Sequence, residues 1–332
     1  HCEDIALAYG AGIGGGENAS GNDITISGGN VTVYAAGDGF QAAHNFEMIT
    51  GEDGGSATVT VYTGSYSGYT AEDAATTSYK GIKVQNELNV RDGAVTLQTY
   101  DDGLHADYGA SFEDGSTGQG TINISGGTVT ASVYSPENKT AGGRQGPGGG
   151  PGGGPAGWGG QQTVSGADGI HADNVLNISG GTVNIDSAYE GLEANVINIS
   201  GGQSYLSAND DGINACGGYS TPAVNVTGGY LDVTVSPNGD TDGIDSNGYY
   251  SQTGGVVITR GPNSQMAAAI DAEGSVSVSG GTLIVLGYGR VVTGGDVRSF
   301  PLSLNSSGSH TVTVGGVEYS FTNAYAYGST SC

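Results

Sequence analysis

A pair of glycines between two short strand-like runs recurs along this chain and restricts its fold more than any other feature. It stands in "TISGGNVTV" from residue 25, "NISGGTVTA" from 123, "NISGGTVNI" from 177, "NISGGQSYL" from 198, "NVTGGYLDV" from 225, "SQTGGVVIT" from 251 and "SVSGGTLIV" from 277, with the variant "NVRDGAVTL" from 89. From Gly181 the second glycine steps forward by 21, 27, 26 and 26 residues. A unit this short cannot bury its apolar side alone. Stacked copies can, so a fixed period of this length marks a repeat architecture.

Each unit reads as a short strand, a Gly-Gly corner, a strand of alternating character, and an Asp-Gly corner that opens the next short strand. Alternation puts Val183, Ile185, Leu206, Leu231, Val233 and Val235 on an inner face, and Thr182, Asn184, Tyr205, Tyr230, Asp232 and Thr234 on an outer one. The chain has 65 glycines among 332 residues and 36% apolar residues. That is too apolar for disorder and, lacking a three-residue period, not collagen. The pattern predicts an all-β fold, a right-handed parallel β-helix of about ten turns and roughly 50 Å length, its hand taken from the rule for parallel crossovers. A sandwich would need repeated two-residue hairpin turns between antiparallel strands, which the single period does not favour. The predicted organisation is an N-terminal cap over 1–20, the β-helix over 21–300, and a C-terminal cap or docking strands over 301–332. The Gly/Pro stretch 141–162 is a loop excursion, and without a Gly-Lys-Ser/Thr ending it is not a nucleotide loop.

The second repeated phrase is the Asp-Gly corner: "YKGIKV" from 79, "DDGLHAD" from 101, "ADGIHAD" from 167, "YEGLEAN" from 189, "DDGINAC" from 210, "TDGIDSN" from 241 and a degenerate "AAIDAEG" from 268. The glycine is expected to supply a positive φ for the bend. Stacking the corners predicts two side-chain ladders. One runs Lys80, Asp102, Asp168, Glu190, Asp211, Asp242; the other runs Lys83, His105, His171, Glu193, Asn214, Asp245, Asp271. Carboxylates on neighbouring strands repel unless protons, cations or hydrogen-bond donors lie between them. Asp in such a corner also caps backbone N–H groups, so the column serves architecture first. Calcium, a hard cation suited to oxygen donors, is the expected counter-charge. The candidate ligands are Asp101, Asp102, Asp107, Asp168, Asp173, Glu190, Glu193, Asp210, Asp211 and Asp242. His105 and His171 lack a third ligand with zinc-like spacing, so their recurrence reads as duplication rather than a transition-metal site.

Eight Lys plus Arg against 33 Asp plus Glu give a formal charge of -25, which repels nucleic-acid phosphates and anionic membranes. No apolar run is long enough to span a bilayer. A first residue other than Met, His1, fits removal of a leader or a tag remnant. Of three cysteines, Cys2 and Cys332 sit at the ends of the predicted rod; head-to-tail disulfides between molecules would give a filament, the structural alternative. Long solenoid faces suit extended polymers, so a non-catalytic binder of polysaccharide is the leading expectation. Tyr205, Tyr230, Tyr249 and Tyr250 are the candidate stacking surfaces. A third reading is a calcium-assisted polysaccharide lyase, whose base would come from Lys80, Lys83 or Arg91 near Asp101 and Asp102. Eight Asn-X-Ser/Thr sequons occur, and four of them, Asn123, Asn177, Asn198 and Asn225, share the repeat position before the Gly pair, so the repeat itself accounts for these.

The succession KGIK, DDGLHAD, YEGLEA, DDGINA and DGIDSNG, spread over about residues 78 to 290, resembles the bacterial carbohydrate-binding domain of clostridial type. The resemblance implies a calcium-containing right-handed parallel β-helix related to polysaccharide lyases. It also implies a secreted or cell-surface location and binding of polygalacturonate and cellulose. Residues 1 to 77 and 291 to 332 resemble the family weakly.

Overall fold

The computed structural model describes residues 11–14, 21–64, 78–134, 166–263, 267–294 and 296–331. Cys2, Cys332 and the Gly/Pro stretch 141–162 lie outside the described residues. The chain is all-β, with no helix among the described residues. Two large sheets of sixteen and eleven strands dominate, and their pairings are parallel except where the C-terminal strand Gly328–Ser331 joins the second sheet.

Each repeat lays down strands in the same order. The corner strand Ile213–Ala215 and the next strand, Ala223–Val226, belong to the larger sheet; the chain then turns at Gly228 and Gly229 and enters the other sheet as Tyr230–Thr234. Register is kept across most neighbours, as in Leu192↔Ile213↔Ile244 and Leu206↔Val233↔Thr259, with single irregularities at Ala131/Ser132 and Ala172/Val175. Inward positions from both sheets form one continuous core that runs from Ile26 to Val285. Val183, Ile185, Leu206, Leu231, Val233 and Val235 all lie in the interior.

The two kinds of glycine corner work by different physics. The second glycine of the Gly-Gly pair takes a left-handed conformation, φ 73° at Gly181 and 74° at Gly202, which only glycine adopts without penalty. The Asp-Gly glycines depart from expectation, because none of Gly103, Gly169, Gly191, Gly212 or Gly243 has positive φ. They are required by close approach. A Cβ on Gly212 would lie 2.6 Å from the carbonyl oxygen of Gly243 in the next repeat and would run into the Val233 side chain.

The N-terminal third is regular too. Strands Ile24–Ile26, Gly29–Ala35, Phe40–Ala42, Asn45–Met48 and Ala57–Thr63 pair in parallel with later repeats. Outward asparagines of the larger sheet form a ladder in which each amide nitrogen donates to the preceding amide oxygen: Asn123 to Asn89 at 3.0 Å, Asn177 to Asn123 at 2.9 Å, Asn198 to Asn177 at 2.9 Å and Asn225 to Asn198 at 3.0 Å. Four sequon asparagines thus have their Nδ2 committed to the fold.

Near the C-terminus the outer face of the smaller sheet turns apolar. Ile258, Ile284 and Leu286 pack under Leu304, Val312, Phe321 and Tyr327 from the last strands. The unbroken runs "VVIT" and "TLIVL" reflect burial on both faces. Buried Arg260 fastens this layer: its Nε donates to Asn323 Oδ1 at 2.8 Å, its Nη1 to Val233 O at 3.0 Å and to Asp232, and its guanidinium lies 5.5 Å from the Phe321 ring centre.

Candidate functional site

The Asp-Gly corners bring their acids into the predicted column, and the column has a backbone role. Oδ1 of each corner Asp accepts the N–H of the equivalent residue one repeat on: Asp38 from Lys80 at 2.8 Å, Asp102 from Asp168 at 2.8 Å, Asp168 from Glu190 at 3.2 Å, and Asp211 from Asp242 at 2.7 Å. Asp242 does the same for Ala268. These oxygens satisfy donors that the bend leaves unpaired. Asp38 was not read as part of the column, although "GDGFQA" from residue 37 carries the corner phrase.

The other carboxylate oxygens divide the column into two halves. In the first half the protein supplies its own cations. Lys80 Nζ donates to Asp101 at 2.9 Å and to Asp102 at 2.8 Å; Lys83 Nζ lies 3.2 Å from Asp107. Each histidine is clamped between two carboxylates. His105 meets Asp102 and Asp107, both at 2.8 Å, and His171 meets Asp168 at 3.0 Å and Asp173 at 3.2 Å, with Glu193 at 3.7 Å. The two imidazoles stack at 4.8 Å. Burial opposes a charged His171, but Asp168, Asp173, Glu193 and Asp102 outweigh it and raise its pKa well above the ordinary value. Burial likewise opposes ionisation of Asp102, yet Lys80, His105 and His171 hold it well below the usual range. With both ring nitrogens on carboxylates, His171 is held as a cation of the column; Asp102, His105 and His171, and likewise Asp168, His171 and Glu193, also bring ligand atoms within 4.8 Å of one another.

In the second half, no Lys, Arg or His among the described residues pairs with Glu190 or Asp211. Between His171 and Arg260 the sequence contains ten Asp and Glu and no Lys, Arg or His, and Arg260 is committed to Asp232. Glu190, Asp210 and Asp211 each offer an oxygen, all within 4.8 Å of one another, and Asp211, Asp242 and Asp245 form a second such group. Glu190, Asp211, Asp242 and Asp245 are buried. Glu190 Oε1 accepts from Asn214 Nδ2 at 3.0 Å, whereas Glu190 Oε2 and Asn214 Oδ1 are buried without a hydrogen-bond partner. Burial, then Glu193, Asp168 and Asp211, push the Glu190 carboxyl well up; burial, then Asp210, Asp242 and Asp245, do the same for Asp211. An oxygen-only donor set of concentrated negative charge, with two acceptors unsatisfied, matches the demands of a hard divalent cation. Glu193 is placed between the halves, its Oε1 accepting from the buried thiol of Cys216 at 3.2 Å.

Residues 8–133 and 111–212, which together span more than half of the sequence, match the family of carbohydrate-binding domain-containing proteins. The chain belongs to that family. No curated protein and no solved structure matches it. The family match takes in the N-terminal third, where the resemblance read from the corners alone was weak.

For a member of a carbohydrate-binding family the accessible aromatic rings matter most. Tyr205 and Tyr230 lie on neighbouring strands with ring centres 5.6 Å apart, Tyr205 exposed and Tyr230 half-buried. Tyr249 is exposed, but Tyr250 is fully buried with its hydroxyl donating to Gln252 Oε1 at 2.9 Å, so it presents no ring to a ligand. Alternation along Tyr249–Gln252 forces that outcome, since adjacent strand residues face opposite sides. Lys80, Lys83 and Arg91 are all ion-paired, Arg91 with Glu47 at 2.7 Å.

Proposed function

We propose that the protein is an extracellular, non-catalytic polysaccharide-binding module, built as a right-handed parallel β-helix of about ten turns. In this reading calcium is held along the acidic half of the corner column. Parallel pairing that repeats from unit to unit, with strands added in one order, supports the helical reading, and the crossover rule supports its hand. The strands after residue 300 would then close one end, pairing with the last strand of the smaller sheet and covering its outer face, while the cap expected over 1–20 lies outside the described residues except for 11–14. The observation that carries the calcium reading is Glu190 Oε2, a buried acceptor without a partner inside the Glu190, Asp210 and Asp211 group. Glu190, Asp210, Asp211 and the Asn214 side-chain oxygen would hold the ion, with Asp242 and Asp245 forming a neighbouring group. A bound calcium supplies positive charge that this chain lacks at its surface, and it would bridge to the carboxylates of an acidic polymer such as polygalacturonate.

Lyase chemistry is the weaker reading. It needs a base near neutrality, whereas burial of Lys80 is outweighed by Asp102 and Asp101, which raise its pKa above the ordinary lysine value. Head-to-tail assembly through Cys2 and Cys332 remains the structural alternative, tested on a non-reducing gel by a ladder that collapses on reduction. Calorimetric titration with acidic and neutral polysaccharides, with and without chelator, tests the main reading. Binding of polygalacturonate should require calcium, and binding unchanged by chelator overturns the calcium bridge.

A further inference from the structure

Where a repeat is interrupted, the interruption carries its own meaning, because extra segments in repeat proteins gather on a binding face. Two segments leave the repeat on the same side. One is the antiparallel hairpin Tyr108–Ser111 with Thr117–Gln119, the other the turn 216–222 after the Ile213–Ala215 strand. Far apart in sequence, they bring Tyr108 and Tyr219 together with ring centres 4.2 Å apart and planes tilted by 46°. Both rings remain exposed, Tyr108 at 37% and Tyr219 at 52%.

Both segments are held firmly. Tyr108 N–H donates to Asp173 Oδ2 at 2.8 Å and Gln119 N–H to Asn86 Oδ1 at 3.0 Å, while Phe112 packs edge-on against His44 at 4.9 Å. The other turn is gathered around the buried side chain of Asn195. Its Oδ1 accepts from the N–H groups of Tyr219 at 3.2 Å and Ser220 at 3.4 Å, and its Nδ2 donates to Ser220 Oγ at 2.7 Å. Beside the rings stand Asp107 and Asp173, each about three-tenths exposed and each tied to a histidine. Burial opposes their ionisation, but His105 and Lys83 bring Asp107 down to about 2, and His171 lowers Asp173. They are therefore permanent acceptors with lone pairs left over for sugar hydroxyls, and they repel an anionic ring.

We infer that Tyr108 and Tyr219 form a preorganised, calcium-independent subsite for a neutral sugar ring, with Asp107 and Asp173 accepting its hydroxyls. The inference rests on the carbohydrate-binding character of the family and is separate from the calcium bridge proposed above. The tilted rings give an apolar surface for the ring's C–H face, and aromatic side chains fixed in advance lose little entropy on binding.

The test is titration of the intact protein with cellohexaose, in calcium and in chelator, for wild type, Tyr219→Ala, Tyr219→Phe and Tyr34→Ala. Tyr34 is as exposed as Tyr219 but stacks on Tyr62 in the other sheet. Wild type should bind equally with and without calcium. Tyr219→Ala should weaken binding about ten-fold, Tyr219→Phe should keep most of it, and Tyr34→Ala should change nothing, all with unchanged melting temperature. No binding by wild type, binding lost in chelator, or equal losses in Tyr34→Ala and Tyr219→Ala would overturn the assignment. Chelator-insensitive binding of polygalacturonate would sink the calcium bridge and leave this subsite standing.

Discussion

Replacing Glu190 with Gln removes one charge from the acidic half of the column while nearly preserving shape. In the metal-free protein the oxygens of Glu190, Asp210 and Asp211 lie within 4.8 Å of one another, and two unit charges at that distance repel by about 3.5 kcal/mol at an effective dielectric constant of about 20. Protonation offers an escape of similar cost: holding a carboxyl protonated near pH 7 against an ordinary value of about 4.3 takes about 3.7 kcal/mol. The two limits agree, so the apoprotein carries a penalty of about 3.5 kcal/mol whichever route it takes. Glutamine retains an oxygen for Asn214 Nδ2 and puts N–H donors where Oε2 had no partner.

Glu190→Gln should therefore melt higher than wild type in chelator, by about 5 °C for a chain of this size. Calcium at about one hundred times its dissociation constant stabilises a bound native state by about 2.7 kcal/mol, so the wild type should gain a comparable amount and the variant much less. The signature is a change of ranking between two scans of the same pair. A variant less stable than wild type in chelator would show that Glu190 is a structural acceptor whose charge the fold needs, and the cation-site reasoning would fail.

Three further outcomes follow from the same geometry. Glu190 and Asp211 have carboxyls raised by burial and by neighbouring acids; a raised folded value contributes stability that is complete below the unfolded value and lost as pH rises through the folded one. Metal-free melting temperatures should thus fall as pH rises above the ordinary carboxylate range of about 4, and calcium should flatten that slope; an upward slope in chelator refutes it. His171→Asn leaves Asp168, Asp173 and Glu193 without their cation, costing about 3 kcal/mol, and part of the loss should be recovered by calcium, so that the variant's calcium-induced rise in melting temperature exceeds that of wild type. Gly212→Ala drives a Cβ into Val233 and the Gly243 carbonyl and should cost about 1 to 3 kcal/mol in denaturant unfolding, so a neutral result would show that the corner can open.

Much of this could be read in the sequence, because a repeat protein writes its register into its period. Alternation fixed which face of Tyr230–Thr234 is buried, and aligning the corners gave Lys83, His105, His171, Glu193, Asn214 and Asp245 as one row, the order in which the strands pair. Glycine chemistry was legible only at the Gly-Gly turns. At Gly212 the constraint is the next repeat's backbone, a contact that no local phrase encodes. Alternation also warned against pairing Tyr249 with Tyr250 on one surface. The meeting of Tyr108 with Tyr219 depends on two irregular segments with no shared period, so nothing in the repeat announces it. The absence of any base between His171 and Arg260 was there to be read, and it separates the two halves of the column once the ion pairs are known.

That separation explains how one corner motif supports two chemistries. A stacked turn is held by a corner acid that accepts the next backbone N–H, as Asp102 does for Asp168 and Asp211 does for Asp242. Stacking then forces carboxylates together, and each repeat must neutralise the charge that its own architecture creates. Where the outward position is Lys or His, the neutralising cation is covalently part of the chain and the corner needs none from solution. Where that position is Glu, Asn or Asp, the charge is left for something from solution. Changing one residue in the outward row, from His171 to Glu193 one repeat later, therefore changes a corner from a self-sufficient joint into one whose stability depends on its surroundings. A binding function of this kind needs no new loop or pocket, only the omission of a cation that the neighbouring repeat retains.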